Sequence, residues 1–222
     1  MKAVRITPAI LTDDTTTLRE MMSLTETFTD LVHLDIMDGS FVPTKSVSAA
    51  DIGAVPTTLR WKAHLMVKNP IDYLSPFKEA GAQLITFHVE SFENPADARY
   101  VIAAAREMRL GVGLAVNPDT ELPDFLPLAD EVDSVLFMSV HPGYYGADFV
   151  PEVLRKLMDF RQTARGIFTS IDGGVKEANI GIIARTGVDE ICVGSAIYRQ
   201  PNPAASYRRL MALANSRTLP SE

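Results

Sequence analysis

Short apolar or β-branched runs alternate along the chain with longer amphipathic stretches, and turn residues mark the joins. The runs predict strands near Val4–Ile10, Leu31–Met37, Leu59–Val67, Leu84–Val89, Gly111–Val116, Ser134–Val140, Ile167–Asp172 and Glu190–Gly194. Helical spacing between them predicts Asp14–Phe28, Ser48–Val55, Pro70–Ala80, Pro95–Met108, Leu122–Ala129, Pro151–Arg165, Lys176–Arg185 and Pro203–Ala214. Asn69-Pro70, Asn94-Pro95 and Asn202-Pro203 read as helix starts, because a first-turn proline lacks an N–H that would have no partner there anyway. Gly81, Gly111 and Gly187 fall just past helix ends, where a left-handed cap is expected. Eight strand–helix units predict an α/β fold closed into a single (β/α)8 barrel over residues 1–222, since right-handed crossovers put every helix outside. An open doubly wound sheet is the alternative, but no G-x-G-x-x-G follows the first strand.

Composition narrows the class. The 222 residues are 46% hydrophobic and 22% charged, ordinary for a globular domain. A chain of this length buries roughly 70% of the surface its unfolded form exposes, enough to fold without disulfides or a structural metal. The one cysteine, Cys192, excludes a disulfide scaffold and points to a reducing, cytoplasmic setting. Met1–Pro8 has no long apolar run and Asp13-Asp14 follow, so no secretory signal is expected, and no apolar run nears the ~20 residues of a membrane helix. A net charge of −7 without a basic cluster argues against nucleic acid or an anionic membrane as partner and leaves a small molecule.

Chemistry in such a barrel belongs at the C-terminal ends of the strands. In Leu31–Met37, alternation puts His33, Asp35 and Met37 on one face; in Trp61–Met66 it puts Lys62, His64 and Met66 together; Ser170-Ile171-Asp172 closes another strand. A lone inward His is most often a hydrogen-bonded core residue, and a lone Asp at a strand end a turn former. Four of them with matching parity at one barrel mouth read instead as a site for a divalent ion such as Zn, Fe, Mn or Co. His88 lies nearby without an evident partner and reads as a supporting or core group; His141 beside Pro142 reads as a loop residue. Met37, Met66 and Met138 end three strands, either as gap-fillers or as a polarizable, water-poor wall. Glycines crowd the far side of the mouth, in His141–Ala147, Asp172–Val175 and Val193–Ile197, with a short helix expected near Ser195. Their backbone N–H groups suit a phosphate, which barrels often bind after strands 7 and 8.

These motifs resemble the ribulose-phosphate 3-epimerase family from the first strand to the eighth. They are His33–Gly39 with Phe41-Val42-Pro43, His64-Leu65-Met66-Val67, Leu84–His88, Met138–Gly143, Asp172–Val175 and Gly194–Ile197. The resemblance implies a TIM barrel, generally a dimer or hexamer, in carbohydrate metabolism through the pentose phosphate pathway. It implies His33, Asp35, His64 and Asp172 as metal ligands, with Asp35 and Asp172 also the acid/base pair. His64, Met37, Met66, Met138, Gly143, Tyr144, Tyr145, Gly146, Gly173, Gly174, Gly194 and Ser195 would contact the substrate, several of them at its phosphate. The implied reaction is metal-dependent 3-epimerisation of D-ribulose 5-phosphate to D-xylulose 5-phosphate through an enediolate.

Three departures bear on the substrate. Ala9 follows Pro8 where the family commonly has serine, Gly143-Tyr144-Tyr145-Gly146-Ala147 replaces Gly-Phe-Gly-Gly-Gln, and Lys62 stands where an acidic residue is frequent. They keep open a 3-epimerase of another ketose phosphate, such as a hexulose 6-phosphate. Lys62 raises a lysine-dependent lyase or decarboxylase, although its place a layer below His64 predicts pairing with a carboxylate. A catalytically inactive metal- and phosphate-binding barrel is the non-enzyme alternative; two acids set for opposed proton transfers argue against it.

Overall fold

The computed structural model describes residues 3–143 and 148–216. In chain order the elements are β1 (Arg5–Ile10), α1 (Thr15–Glu26), β2 (Leu31–Met37), α2 (Ala49–Gly53), β3 (Arg60–Met66), α3 (Leu74–Glu79), β4 (Leu84–His88), α4 (Ala98–Glu107), β5 (Gly111–Val116), α5 (Leu122–Phe125), β6 (Ser134–Met138), α6 (Val153–Thr163), β7 (Phe168–Asp172), α7 (Glu177–Arg185), β8 (Glu190–Val193), α8 (Ser195–Tyr198) and α9 (Pro203–Ala214). Short 3-10 turns lie at Pro70–Tyr73, Val89–Ser91, Pro95–Asp97 and Leu126–Glu131. The strands close in sequence order into a parallel barrel, with β8 pairing to β1 through Thr7 opposite Cys192. No helix among the described residues is long and apolar enough to cross a membrane.

Strand alternation sorts the chain into two packed zones. Outward positions such as Leu34, Ile36, Ala63, Leu65, Phe87, Leu114, Phe137, Ile171 and Ile191 join helix residues Leu18, Met22, Phe77, Val101, Leu157, Phe160 and Ile183 in one apolar cluster. In α4 the buried set Ala98, Val101, Ile102 and Ala105 is the stripe a 3.6-residue period requires. Inside the barrel the apolar cluster is small, formed by Ala9, Ala115, Leu136, Met138, Val140 and Cys192. Met37, Met66 and Val42 form a second small apolar cluster, and the buried polar groups include Thr7, His33, His64, Thr86, His88, Ser134, Ser170 and Glu190.

That polar interior is paired at its base. The Lys62 ammonium bonds one Glu190 oxygen, and Thr7 Oγ1 donates to the other at 2.5 Å. Burial opposes both charges. The acidic groups around Lys62 nonetheless raise its pKa, and Lys62 with Thr7 holds Glu190 below its usual range. The carboxylate that Lys62 was expected to find is therefore Glu190, across the barrel interior. The two ends of the described chain are also joined: Val4 N donates to Asn215 Oδ1 at 2.9 Å, and Asn215 Nδ2 returns a bond to Val4 O at 3.1 Å.

Helix boundaries differ from expectation for local reasons. The stretch Pro70–Ala80 is a 3-10 turn followed by α3, because Pro76 has no N–H for the preceding turn and crowds its carbonyl. Pro127 divides Leu122–Ala129 between α5 and a 3-10 turn in the same way. Gly111 is not a helix cap. Arg109 takes the left-handed position after α4 with φ 59°, while Gly111 opens β5, where a Cβ would lie 3.0 Å from Gln83 O. Gly81 and Gly187 do adopt positive φ, 105° and 82°. Four strands end a residue or two earlier than the apolar runs, and the other four end where expected. The clearest cases are β6, which stops at Met138 rather than Val140, and β4, where Val89 already belongs to a turn.

Candidate active site

Side chains from β2, β3 and β7 meet at the C-terminal mouth. Parallel pairing puts Asp35 opposite His64 and Met37 opposite Met66, and on the other side Met138 opposite Asp172 and Asp172 opposite Cys192. Asp35 Oδ1 lies 3.1 Å from His33 Nε2 and 2.9 Å from His64 Nδ1; Asp172 Oδ2 lies 3.7 and 3.8 Å from the same two nitrogens. One potential ligand atom from each of His33, Asp35, His64 and Asp172 falls within 4.8 Å of all the others. Among the described residues this is the one such convergence of His, Cys, Asp and Glu side chains.

Two carboxyls this close, both shielded from water, cannot ionise independently. Burial and the Asp35 charge push the Asp172 pKa up, against the pull of His33 and Lys62. Burial acts on Asp35 as well, but the two histidines overcome it and hold Asp35 well below the carboxylate range. Burial drives His64 down to about 4, while Cys192 and Asp35 raise His33 despite its complete burial. Two imidazole nitrogens and two carboxylate oxygens are a donor set suited to a borderline divalent cation, which would take over the charge compensation that protons now provide.

The site opens on a cavity of about 90 Å³. Asp35 and Asp172 line it, with Met37, Met66 and Met138 around them and Gly143, Gly173, Gly174, Gly194 and Ser195 on its other flank. The methionines are buried at the strand ends where the sequence placed them. Gly173 is dictated by both conformation and space: its φ is +111°, and a Cβ there would sit 2.5 Å from Val140 Cγ2. Ser139, fully buried, fixes the segment. Its N–H donates to Asp172 O at 2.7 Å and its hydroxyl reaches Asp172 O and Gly173 O at 2.9 and 2.7 Å. Tyr144, Tyr145 and Gly146 lie outside the described residues. Lys62 is not among the residues lining this cavity; it faces a separate hollow at the N-terminal mouth with Arg5, Trp61 and Glu190.

His88 does have partners, contrary to expectation. Its Nε2 is 2.9 Å from His64 Nε2, and its Nδ1 is 3.0 Å from Glu90 Oε2. Burial opposes ionisation of Glu90, but His88, the Asn117 N–H and Thr120 lower its pKa. Glu90 and Ser139 carried no signal in the sequence reading: the first is delivered by a turn rather than a strand, and the second acts through backbone carbonyls. His141 is exposed and lies 3.6 Å from Asp119, as a loop residue would.

The sequence model of the Ribulose-phosphate 3 epimerase family matches residues 5–198. The chain is 34% identical over 223 residues to the ribulose-phosphate 3-epimerase of Mycobacterium tuberculosis (strain ATCC 25618 / H37Rv), covering 96% of this chain and 94% of the relative. It is 37% identical over 211 residues to that of Escherichia coli (strain K12), covering 91% and 92%. Among solved structures, 3-hexulose-6-phosphate synthase from Salmonella typhimurium superposes with a TM-score of 0.70 at 17% identity, covering 95% of this chain and 98% of that one, a likeness of fold alone.

Proposed function

Since the chain belongs to the ribulose-phosphate 3-epimerase family and is an epimerase acting on carbohydrate, we propose that it interconverts D-ribulose 5-phosphate and D-xylulose 5-phosphate by inverting C3. The observation that carries this reading is the arrival of two carboxyls at one cavity from strands three steps apart around the barrel, β7 through β8 and β1 to β2. Inversion needs two groups. A single base returns the proton to the face it came from, whereas one aspartate can remove the C3 proton while the other supplies one from the opposite side. A positioned proton transfer contributes about 10²–10⁴-fold.

His33, Asp35, His64 and Asp172 are the residues that would hold a divalent ion, and all four fit that role by donor type and convergence. When bound, such an ion supplies Lewis-acid polarisation of the C2 carbonyl and offsets the charge left as the C3 proton departs. Met37, Met66 and Met138 exclude water from the reacting carbons without offering a competing proton donor. The backbone donors of Gly143, Gly173, Gly174, Gly194 and Ser195 suit the substrate phosphate, so a protein of net charge −7 needs no cationic side chain there.

The test is turnover in D₂O with D-ribulose 5-phosphate and, in parallel, a hexulose 6-phosphate. The expected result is D-xylulose 5-phosphate carrying deuterium at C3, with the hexulose a poorer substrate. Preference for the hexulose would move the assignment to that sugar, and no exchange with either would end it. Borohydride treatment during turnover is expected to trap no sugar on Lys62, whose ammonium is engaged by Glu190 away from the cavity; a labelled Lys62 would favour the lyase reading.

Metal binding should depend steeply on pH, with a definite sign. His33 has its pKa raised in the ion-free cluster and must lose its proton to become a ligand, as must Asp172. Affinity measured by chelator competition is therefore expected to fall as pH falls from 8 to 6, by about tenfold per unit for each proton displaced. A pH-independent dissociation constant would contradict the ligand set.

A further inference from the structure

Beyond the four ligands, three buried groups form a line away from the ion site. His64 turns Nδ1 toward Asp35 at 2.9 Å and Nε2 toward His88 at 2.9 Å. The two imidazole planes differ by 27° with ring centroids 5.1 Å apart, which places the facing nitrogens between the rings. His88 is fully buried, packs against the Phe41 ring at 4.9 Å, and turns its other nitrogen to Glu90 at 3.0 Å. Glu90 is held in turn: its other oxygen accepts from Asn117 N at 2.7 Å and from the Thr120 hydroxyl. Lys156 from α6 braces that loop by donating to the carbonyls of Asn117, Pro118 and Thr120 at 2.7, 2.8 and 2.8 Å.

We propose that His88 and Glu90 are positioning residues that set the tautomer and orientation of His64 for metal ligation. The inference rests on the reading that His64 is a ligand. A short N···N contact between two imidazoles holds one proton, and the groups at either end decide which ring carries it. An ionised Glu90 accepts only, so His88 presents N–H at Nδ1 and a lone pair at Nε2. His64 then carries its proton on Nε2, leaving the Nδ1 lone pair aimed at the site. The proton order Glu90···H–Nδ1 His88 and Nε2 His88···H–Nε2 His64 is the single arrangement that gives His64 a free ligand nitrogen. Carboxylate–histidine pairs orient metal-bound imidazoles generally; here a second imidazole is interposed, which carries the carboxylate's influence one ring further. The motif falls on His88-Val89-Glu90 because the 3-10 turn at Val89–Ser91 swings Glu90 back beneath the ring that ends β4.

The experiment uses the full chain loaded with zinc and labelled with ¹⁵N in histidine. The expected spectrum has the shared proton covalently on His64 Nε2, with coupling across the hydrogen bond to His88 Nε2; a proton found on His88 Nε2 overturns the proposal. In parallel, zinc affinity is measured by chelator competition for Glu90→Gln and His88→Phe. Each is expected to weaken zinc by about 10–100-fold, with KM for the sugar phosphate at saturating metal within about twofold of wild type. Should His88→Phe fail to fold, Glu90→Gln and the spectrum decide alone. Zinc bound by wild type and variants with equal affinity refutes the positioning role while leaving the ion site standing; no zinc bound by wild type removes both.

Discussion

In D₂O, the Asp172→Asn protein is expected to form no measurable D-xylulose 5-phosphate from D-ribulose 5-phosphate and to lose C3 exchange with the one epimer whose proton Asp172 faces. The substitution is nearly isosteric, so Ser139, which bonds the backbone carbonyl of residue 172 rather than its side chain, keeps the end of β7 in place. What disappears is a carboxyl that lines the cavity and is proposed to exchange a proton with C3. Loss of that transfer alone costs about 10²–10⁴-fold, and weaker metal binding adds to it, because Asp172 also belongs to the ligand cluster. The two contributions separate if the variant is assayed at metal saturation with its metal content measured: activity that recovers fully on adding metal identifies Asp172 as a ligand only. Undiminished C3 exchange with both epimers would remove it from the mechanism.

Much of this site is legible in the chain because a parallel barrel converts strand parity into radial position. His33 and Asp35, or Lys62 and His64, can only share the inward face, and Asp172 at the end of its run can only reach the mouth. The eight strands are legible for the same reason, since their outward residues form nearly unbroken apolar rows under the helices. Partners brought together by closure of the barrel are not legible. Lys62 and Glu190 are 128 residues apart, and no local pattern selects Glu190 over another carboxylate. Glu90 escapes because a 3-10 turn carries it, so strand parity does not apply. The left-handed cap fell to Arg109 rather than Gly111 because the chain needed the glycine's lack of a side chain more where β5 passes close to β4. Departures at Lys62 and Ala9 thus have different weight: the first is absorbed by an interior ion pair that does not line the cavity, whereas Ala9 lines the cavity itself and bears on the sugar.

Removing Glu190 is expected to be among the most damaging changes to the fold. Lys62 and Glu190 have 14% and 1% side-chain exposure, so Glu190→Ala leaves an ammonium inside the barrel without its bonded carboxylate. Breaking one partner of a buried pair costs about 3–5 kcal/mol, a large share of the ~5–15 kcal/mol that stabilises a typical domain. The sign of the pH dependence fixes where to measure. Glu190 has its folded pKa depressed, so its contribution is present above its unfolded value near 4.5 and is lost as pH falls. Lys62 has its folded pKa raised, so its contribution is present below its unfolded value near 10.5 and is lost as pH rises. Denaturant unfolding of the metal-free protein at pH 7 therefore samples the pair fully charged. The triple change Thr7→Val, Lys62→Met, Glu190→Leu removes both charges together with the hydroxyl that Glu190 satisfies, and is expected to recover most of the lost stability, because an apolar replacement of a buried pair is often neutral or better. If Glu190→Ala unfolds at the wild-type denaturant midpoint, Lys62 reaches water through the hollow at the N-terminal mouth that it lines, and the pair contributes to neither stability nor register.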